Sequence, residues 1–209
     1  LSEETLKTVC ANAYAYTKRP EAEQDTGARL IGIHLEGPFI SMEKKGAQNP
    51  AYIRNPDVEM FLRLQEAAHG LVRLITIAPE TDGAKEFIRR LADQVHISVG
   101  HTCSDYETAY RAFSQGADHV THFFNAMPPF THRAPGVIGA AFDAKHVMPE
   151  LICDGIHIDA SAVRVVFSLF GAERMILISD SMMATGMEDG AYSLGGLPVT
   201  VRGNLATLE

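Results

Sequence analysis

The sequence has few cysteines, no long apolar run and no cluster of lysine and arginine. Its three cysteines, Cys10, Cys103 and Cys153, form no CxxC pair and no even-numbered framework. We therefore expect a reduced, cytoplasmic compartment rather than a disulfide-linked fold. No apolar run approaches the roughly 18 to 20 residues that a membrane-spanning helix needs.

Acidic residues outnumber basic ones, and the formal net charge of the 209 residues is -8. A nucleic-acid groove or an anionic membrane surface needs the opposite balance, so neither is expected as the main partner. An anionic small molecule would have to be bound by a local group of donors, because the net negative charge of the chain repels it. Hydrophobic residues make up 46% of the chain, enough for one substantial core.

What the sequence does contain is an alternation of predicted strands and helices. Helices are predicted to begin after Asn55, after Thr81 or Asp82, after Ser104 and after Asp159, each a residue type that favours helix N-caps. Strands separated by helices predict a parallel sheet with right-handed crossovers. The six predicted strands span residues 30–37, 71–80, 96–101, 119–126, 150–157 and 174–180.

A doubly wound sheet and a (β/α)8 TIM barrel both fit this alternation. No GxGxxG or GxxxxGK[ST] motif follows any strand, which removes the usual signs of a nucleotide-binding open sheet. An open sheet concentrates its site at one switch point, whereas a barrel brings all its strand ends to one rim. Because polar side chains end five strands, we favour the barrel, with about two of its eight strands missing. These side chains are Glu36, His101, His122, His157 and Asp180.

Glu36, His101 and His122 are the candidate ligands of a divalent metal ion. Taken singly, Glu36 could be a solvated or capping carboxylate, and each histidine could be a satisfied core residue. Burying all three at one end of a sheet is costly unless they share a partner. A divalent cation is that partner, since one carboxylate and two imidazoles leave a coordination position open for water.

Asp180 and Arg133 are candidates for proton transfer and for anion binding. A carboxylate at the end of the last strand could accept a proton from the water and pass it to a leaving group, or could simply cap a turn. Arg133 lies in the proline-rich segment 128–136, where it is either an anion clamp or an ordinary surface arginine. His157 could donate to the same anion. His96 and His119 begin strands on the opposite rim and are expected to be structural.

Six short motifs, in this order, resemble the N-acetylglucosamine-6-phosphate deacetylase family of the amidohydrolase superfamily. They are GIHLEGPFIS, KKGAQNP, VGHT, THFFNAM, CDGIHID and ISDSM, spread over residues 30–200. The resemblance implies a metal-dependent (β/α)8 barrel carrying a small β-sandwich built from both chain ends. It also implies hydrolysis of N-acetylglucosamine 6-phosphate to glucosamine 6-phosphate and acetate.

The resemblance assigns roles to individual residues. Glu36, His101 and His122 match the metal ligands of the family, and Asp180 matches its acid/base. The positions that match contacts to the sugar or its phosphate, partly across a homodimer interface, are Ala47, Gln48, Asn125, Ala126, Arg133 and His157.

Two departures from the family pattern leave questions open. The first-strand segment that carries His-x-His in two-metal members is absent, so one or two ions of Zn, Fe, Mn or a similar metal are possible. Gln48 stands where some members have histidine. We therefore expect a fragment that lacks both ends of a longer protein, with residues 1–187 forming a partial barrel and 188–209 beginning the β-sandwich.

Several alternatives remain at this point. The substrate could be a related amino-sugar phosphate such as N-acetylgalactosamine 6-phosphate. A dihydroorotase or base deaminase would carry other loops and no HLEGP strand. A non-catalytic sugar-phosphate-binding protein would keep Arg133 and His157 but lose a metal ligand or Asp180. The chain could also be an inactive fragment of an enzyme.

Overall fold

The computed structural model describes residues 1–19 and 27–208 and contains two sheets. Six strands pair in parallel, and each lies beside the strand that precedes and follows it in sequence. They are β1 (Ile33–Glu36), β2 (Val72–Ile77), β3 (His96–Val99), β4 (His119–Val120), β5 (Met148–Ile152) and β6 (Ile176–Ile178).

The order of the strands decides between the two predicted architectures. A doubly wound sheet reverses its strand order at a switch point, whereas a barrel adds strands in sequence order. The observed order runs from β1 to β6 without a reversal. The parallel sheet therefore fits a partial (β/α)8 barrel, as predicted.

A helix connects each pair of consecutive strands in the parallel sheet, and one further helix precedes β1. Asp159 caps its helix by accepting a hydrogen bond from the Ser161 amide, as predicted. The predicted caps Asn55 and Ser104 are wrong, because Asp57 and Asp105 make these capping bonds instead. The predicted cap at Thr81 or Asp82 is also wrong, because Gly83 is the N-cap of the helix that begins at Ala84 and no side chain makes a capping bond there. The helices are α1 (Glu3–Thr17), α2 (Val58–Ala67), α3 (Ala84–Leu91), α4 (Tyr106–Ser114), α5 (Gly136–Asp143) and α6 (Ala160–Phe170), with 3₁₀ turns at Pro50–Tyr52 and Ala172–Arg174.

The hydrophobic core lies between the sheet and these helices. Ile75 and Ile77 on β2 are fully buried, and so are Phe61 of α2 and Phe87 of α3. The two phenylalanine rings meet edge to face, with centroids 5.7 Å apart. This packing fixes the sheet from its helical side. Among the described residues, no helix is long and apolar enough to cross a membrane.

The other face of the sheet carries hydrogen-bonded polar side chains. The Thr76 hydroxyl is 2.7 Å from the Thr121 hydroxyl, which in turn donates to Ser98 at 2.6 Å. The His34 ring nitrogen Nε2 lies 2.7 Å from the same Thr76 oxygen. Residues two apart on a strand share a face, so Glu36 lies on the same side as His34, one step nearer the strand end.

The second sheet is antiparallel, as the turn residues and alternation after residue 190 predict. It contains β7 (Gly190–Leu194), β8 (Leu197–Arg202) and β9 (Leu205–Leu208). A separate small cluster of Ala184, Val199 and Val201 is buried under it. The division of the chain at residues 187 and 188 into two domains stays a prediction.

The predicted strands end earlier than expected, and two of them end at least five residues early. The strand predicted over 119–126 stops at Val120, and turns with positive φ at His122, Phe124 and Ala126 replace its second half. The strand predicted over 150–157 stops at Ile152. Consequently His122 lies two residues beyond its strand. His157 lies five residues beyond its strand rather than at the strand end.

Helix α5 was not predicted, because it follows a proline-rich segment and is rich in glycine and alanine. Its C-terminal carbonyl groups are held by the Arg174 guanidinium, which donates to Ala141 at 2.7 Å and to Ala144 at 3.0 Å. A cation near a helix C-terminus also stabilises the helix dipole. The segment that follows His122 is thereby tied to the start of β6.

Candidate metal centre

The three predicted metal ligands converge at the C-terminal edge of the parallel sheet. The Glu36 oxygen Oε1 lies 2.6 Å from His101 Nε2 and 3.6 Å from His122 Nε2. The two Nε2 atoms are 2.9 Å apart. The two histidines are buried, and Glu36 is half-buried. The expectation that the strand ends bring these side chains together is confirmed.

The hydrogen-bond partners of His101 indicate that a cation fits among these atoms. Its other ring nitrogen, Nδ1, donates to the Lys44 carbonyl at 2.6 Å, because a carbonyl oxygen can only accept. In the neutral ring Nε2 then carries a lone pair, which points at the Glu36 carboxylate. Two electron-rich atoms 2.6 Å apart repel each other unless a proton or a metal cation lies between them.

The donor atoms lie close enough together to share one small divalent ion. Bonds of about 2.0 to 2.2 Å on a tetrahedral ion place its donor atoms about 3.3 to 3.6 Å apart. Of the observed spacings, 3.6 Å lies at the upper end of this range, whereas 2.6 and 2.9 Å lie below it, so those atoms would move apart by about 0.4 to 0.7 Å to hold an ion. A metal-ligating histidine commonly donates its second N–H to a carbonyl or carboxylate, as His101 does to Lys44.

Left-handed backbone aims the side chains of this centre. His101, His122 and Asp180 have φ values of 47°, 29° and 49°, a region that residues other than glycine seldom occupy. Each residue follows the last residue of a strand by two positions. Strained backbone of this kind clusters at functional sites, where the surrounding structure compensates for its cost.

The charges of the three groups are strongly coupled. Burial acts to raise the pKa of Glu36, but when His101 and His122 are protonated at Nε2 their hydrogen bonds and positive charge outweigh it and hold that pKa well below its usual value. Burial lowers the pKa of His122, but the hydrogen bond and negative charge of Glu36, together with the charge of Asp180, raise it overall. The site therefore holds a carboxylate whose negative charge attracts a cation.

Asp180 shares one cavity with the three ligands. The cavity has a volume of about 530 Å³ and is open on one side. Partial burial and the negative charge of Glu36 raise the pKa of Asp180, while the nearby His122 lowers it somewhat. A carboxyl group whose pKa is raised is better suited to exchange protons near neutral pH.

The cavity wall includes most of the residues expected to contact a sugar phosphate. Gln48 donates from Nε2 to the Glu36 carbonyl at 2.9 Å, which ties the loop after β1 to the metal centre. Asn125 donates from Nδ2 to the His122 carbonyl at 3.1 Å. The predicted residues that line the cavity are Glu36, Ala47, Gln48, His101, His122, Asn125, Ala126, His157 and Asp180.

Arg133 is the predicted site residue that does not line this cavity. It is exposed on the segment before α5. His157 does line the cavity, and the Asp154 carboxylate accepts a hydrogen bond from its Nδ1 at 2.7 Å. The fold of one chain thus brings His157, but not Arg133, to this cavity.

Two carboxylates near the site were missed by the sequence analysis. Glu150 on β5 is buried, with 2% of its surface exposed. Glu80 follows β2 and accepts hydrogen bonds from the segment just after His101. The available signal for Glu150 was an acidic residue at the first position of the predicted strand 150–157, whereas no local pattern distinguished Glu80.

A second group of potential ligands lies at the opposite end of the sheet. Asp118 accepts hydrogen bonds from His96 Nδ1 at 2.6 Å, from His119 Nδ1 at 2.7 Å and from the Ile97 amide at 3.3 Å. These atoms satisfy one another, and His96 is exposed. The arrangement joins the beginnings of β3 and β4.

Comparison with known proteins shows close relatives. The chain is 48% identical over 193 residues to an N-acetylglucosamine-6-phosphate deacetylase of Bacillus subtilis (strain 168), covering 92% of this chain and 49% of that protein. It is 36% identical over 180 residues to an N-acetylgalactosamine-6-phosphate deacetylase of Escherichia coli O157:H7, covering 86% of this chain and 48% of the relative. No family model matches the chain.

A solved structure with the same fold supports this relationship. It is a mutant of the N-acetyl-D-glucosamine-6-phosphate deacetylase of Mycobacterium smegmatis in complex with N-acetyl-D-glucosamine-6-phosphate. The two structures superpose with a TM-score of 0.91 at 36% identity, over 100% of this chain and 53% of the other. The chain spans about half the length of the curated relatives that it matches.

Proposed function

The chain is homologous to N-acetylglucosamine-6-phosphate deacetylases over about half of their length, and on this premise we propose that it carries the metal centre of such an enzyme. The reaction would be hydrolysis of N-acetylglucosamine 6-phosphate to glucosamine 6-phosphate and acetate. The observation that carries the proposal is the convergence of Glu36, His101 and His122 beside Asp180 in one open cavity.

Each group of the centre has a proposed part in the reaction. Glu36, His101 and His122 would hold one divalent cation, such as Zn²⁺, Fe²⁺ or Mn²⁺. When bound, such a cation polarises an amide carbonyl and lowers the pKa of a water molecule. Asp180 would take a proton from the attacking water and deliver it to the leaving nitrogen, a function that suits its raised pKa.

The cavity wall would orient the sugar phosphate. We assign contacts with the sugar to Ala47 and Gln48, on the loop that is tied to Glu36. Asn125, Ala126 and His157, which line the same cavity, would hold the phosphate. Asp154 supports this role of His157, because it fixes Nδ1 and leaves Nε2 of the ring available for a ligand.

Arg133 would act on a neighbouring subunit. It is exposed and lies away from the cavity of its own chain, as a residue that completes a partner's site would. The proposed assembly is therefore a homodimer. Its proposed location is the reduced cytoplasm, where the three free cysteines would stay unpaired.

Galactosamine is the second candidate sugar, because one relative is an N-acetylgalactosamine-6-phosphate deacetylase. Acetate release from the two N-acetylated sugar phosphates tests both proposals, with the protein supplied in turn with Zn²⁺, Mn²⁺ and Fe²⁺. We expect a larger kcat/KM for the glucosamine derivative, and none with unphosphorylated N-acetylglucosamine at the same concentration. Metal-loaded protein that releases acetate from neither phosphate would contradict the proposed function.

A further inference from the structure

The segment that follows His101 is held by a carboxylate outside the metal centre. Glu80 lies three residues beyond β2, and its oxygen Oε2 accepts from the Thr102 hydroxyl at 2.5 Å and from the Ser104 hydroxyl at 2.8 Å. Its other oxygen, Oε1, accepts from the Cys103 amide at 2.6 Å. Thus all three residues after His101 bind one side chain.

These bonds fix a segment that lacks regular structure. Strand β3 ends at Val99 and helix α4 begins at Tyr106, and only isolated backbone bonds hold the residues between them, such as those from the Ser41 amide to the His101 carbonyl at 2.9 Å and from the Thr102 amide to the Ala126 carbonyl at 3.1 Å. His101 itself has a left-handed φ of 47°, which an unrestrained backbone would relax. Thr102 and Ser104 are buried, whereas Glu80 is exposed. The Glu80 carboxylate therefore binds the segment on the side that faces solvent.

We infer that Glu80 is a positioning residue for the metal ligand His101, acting through Thr102, Cys103 and Ser104. This inference rests on the metal centre of the proposed function. Outer partners that orient a ligand typically change metal affinity by about 10- to 100-fold when they are removed. We expect Glu80→Ala to raise the Kd for Zn²⁺ by an amount in that range.

The conservative substitution separates geometry from charge. In Glu80→Gln the amide oxygen can still accept from the Cys103 N–H, while the amide nitrogen donates to the Thr102 and Ser104 hydroxyls. Hydroxyl groups can reverse their role, because each both donates and accepts. Glu80→Gln is therefore expected to keep most of the affinity for Zn²⁺ that Glu80→Ala loses.

A matched control is available at the other end of the same strands. Asp118 also accepts three hydrogen bonds, from His96, His119 and the Ile97 amide. Asp118→Ala removes as many bonds near β3 and β4, but far from His101. If Glu80 merely stabilised the fold, both alanine variants would weaken Zn²⁺ binding alike. We expect lower thermal stability in both and weaker Zn²⁺ binding only in Glu80→Ala.

The experiment is a competition between tag-free protein and a chromogenic chelator for Zn²⁺, with the absorption spectrum of bound Co²⁺ as a second readout. Wild type, Glu80→Ala, Glu80→Gln, Asp118→Ala and Glu36→Ala are compared. An unchanged Kd in Glu80→Ala, or an equal loss in Asp118→Ala, overturns the inference. If Glu80→Ala does not fold, Thr102→Val removes one of the bonds with little change of shape, and an unchanged Kd there overturns it equally.

The same data separate this inference from the proposed function. Wild-type protein that binds Zn²⁺ no better than Glu36→Ala would contradict the metal centre itself. Normal binding by wild type with normal binding by Glu80→Ala would contradict only the role of Glu80.

Discussion

Substitution of Glu150 by glutamine should stabilise the metal-free protein above neutral pH. The Glu150 side chain lies on β5, is 2% exposed, and has one oxygen with no hydrogen-bond partner among the described residues. Burial, and to a lesser degree the negative charges of Glu36 and Asp180, raise its pKa to about 7, although His119 and His122 act in the other direction.

The size of the effect follows from this difference in pKa. The ordinary value is 4.5 and the folded value about 7. At about 1.4 kcal/mol per pH unit, full ionisation of Glu150 costs the folded state roughly 3 kcal/mol. Because the folded pKa is the higher one, the favourable contribution is complete below about pH 4.5 and disappears as the pH rises through about 7.

Urea unfolding at pH 5 and pH 8.5, with a chelator present, measures this contribution. Glu150→Gln has nearly the same shape but cannot ionise. We expect wild type to lose about 2 to 3 kcal/mol more than the variant between the two pH values. Glu66→Gln, a change at an exposed helical position, serves as the control. Parallel pH profiles for wild type and Glu150→Gln would refute the reasoning.

Three further predictions concern proton transfer, the phosphate and the core. Asp180→Asn should keep its bound metal but lose about 10²- to 10⁴-fold in kcat, and near-normal turnover would exclude Asp180 as the proton carrier. Arg133→Ala should raise KM for the phosphorylated sugar about 10- to 150-fold, the value of a charge-assisted contact. Mixing it with Asp180→Asn should restore some activity through hybrid dimers, and no recovery despite subunit exchange would place the clamp within one chain. Phe87→Ala should lower the free energy of unfolding by about 3 to 5 kcal/mol, measured by denaturation, and a loss below 1 kcal/mol would contradict its place in the core.

The sequence was sufficient to predict the parallel sheet and the convergence of the three candidate metal ligands. Apolar runs separated by helices specify parallel strands, and the ends of parallel strands meet at one edge. Glu36, His101 and His122 follow such runs, so their convergence could be expected before any contact was known. The antiparallel tail was equally predictable from its turn residues and alternation.

Other features depend on contacts between distant residues and could not be predicted. The segment after Val120 is as apolar as a strand, yet it turns, because left-handed backbone at His122 and Phe124 redirects it. Helix α5 depends on Arg174, which lies 30 residues beyond Ala144. The role of Glu80 likewise depends on Thr102, 22 residues away. A sequence pattern read over a few neighbouring residues cannot show contacts between residues that are 20 or more positions apart.

The most direct test of the metal centre is the zinc content of tag-free protein after equilibrium dialysis. We expect His122→Ala to bind one Zn²⁺ ion fewer per chain than wild type, since it removes a ligand from the group formed with Glu36 and His101. His96→Ala changes the other histidine group and should leave the zinc content unchanged. Equal zinc content in wild type and His122→Ala, or loss of an ion in His96→Ala alone, would contradict the account.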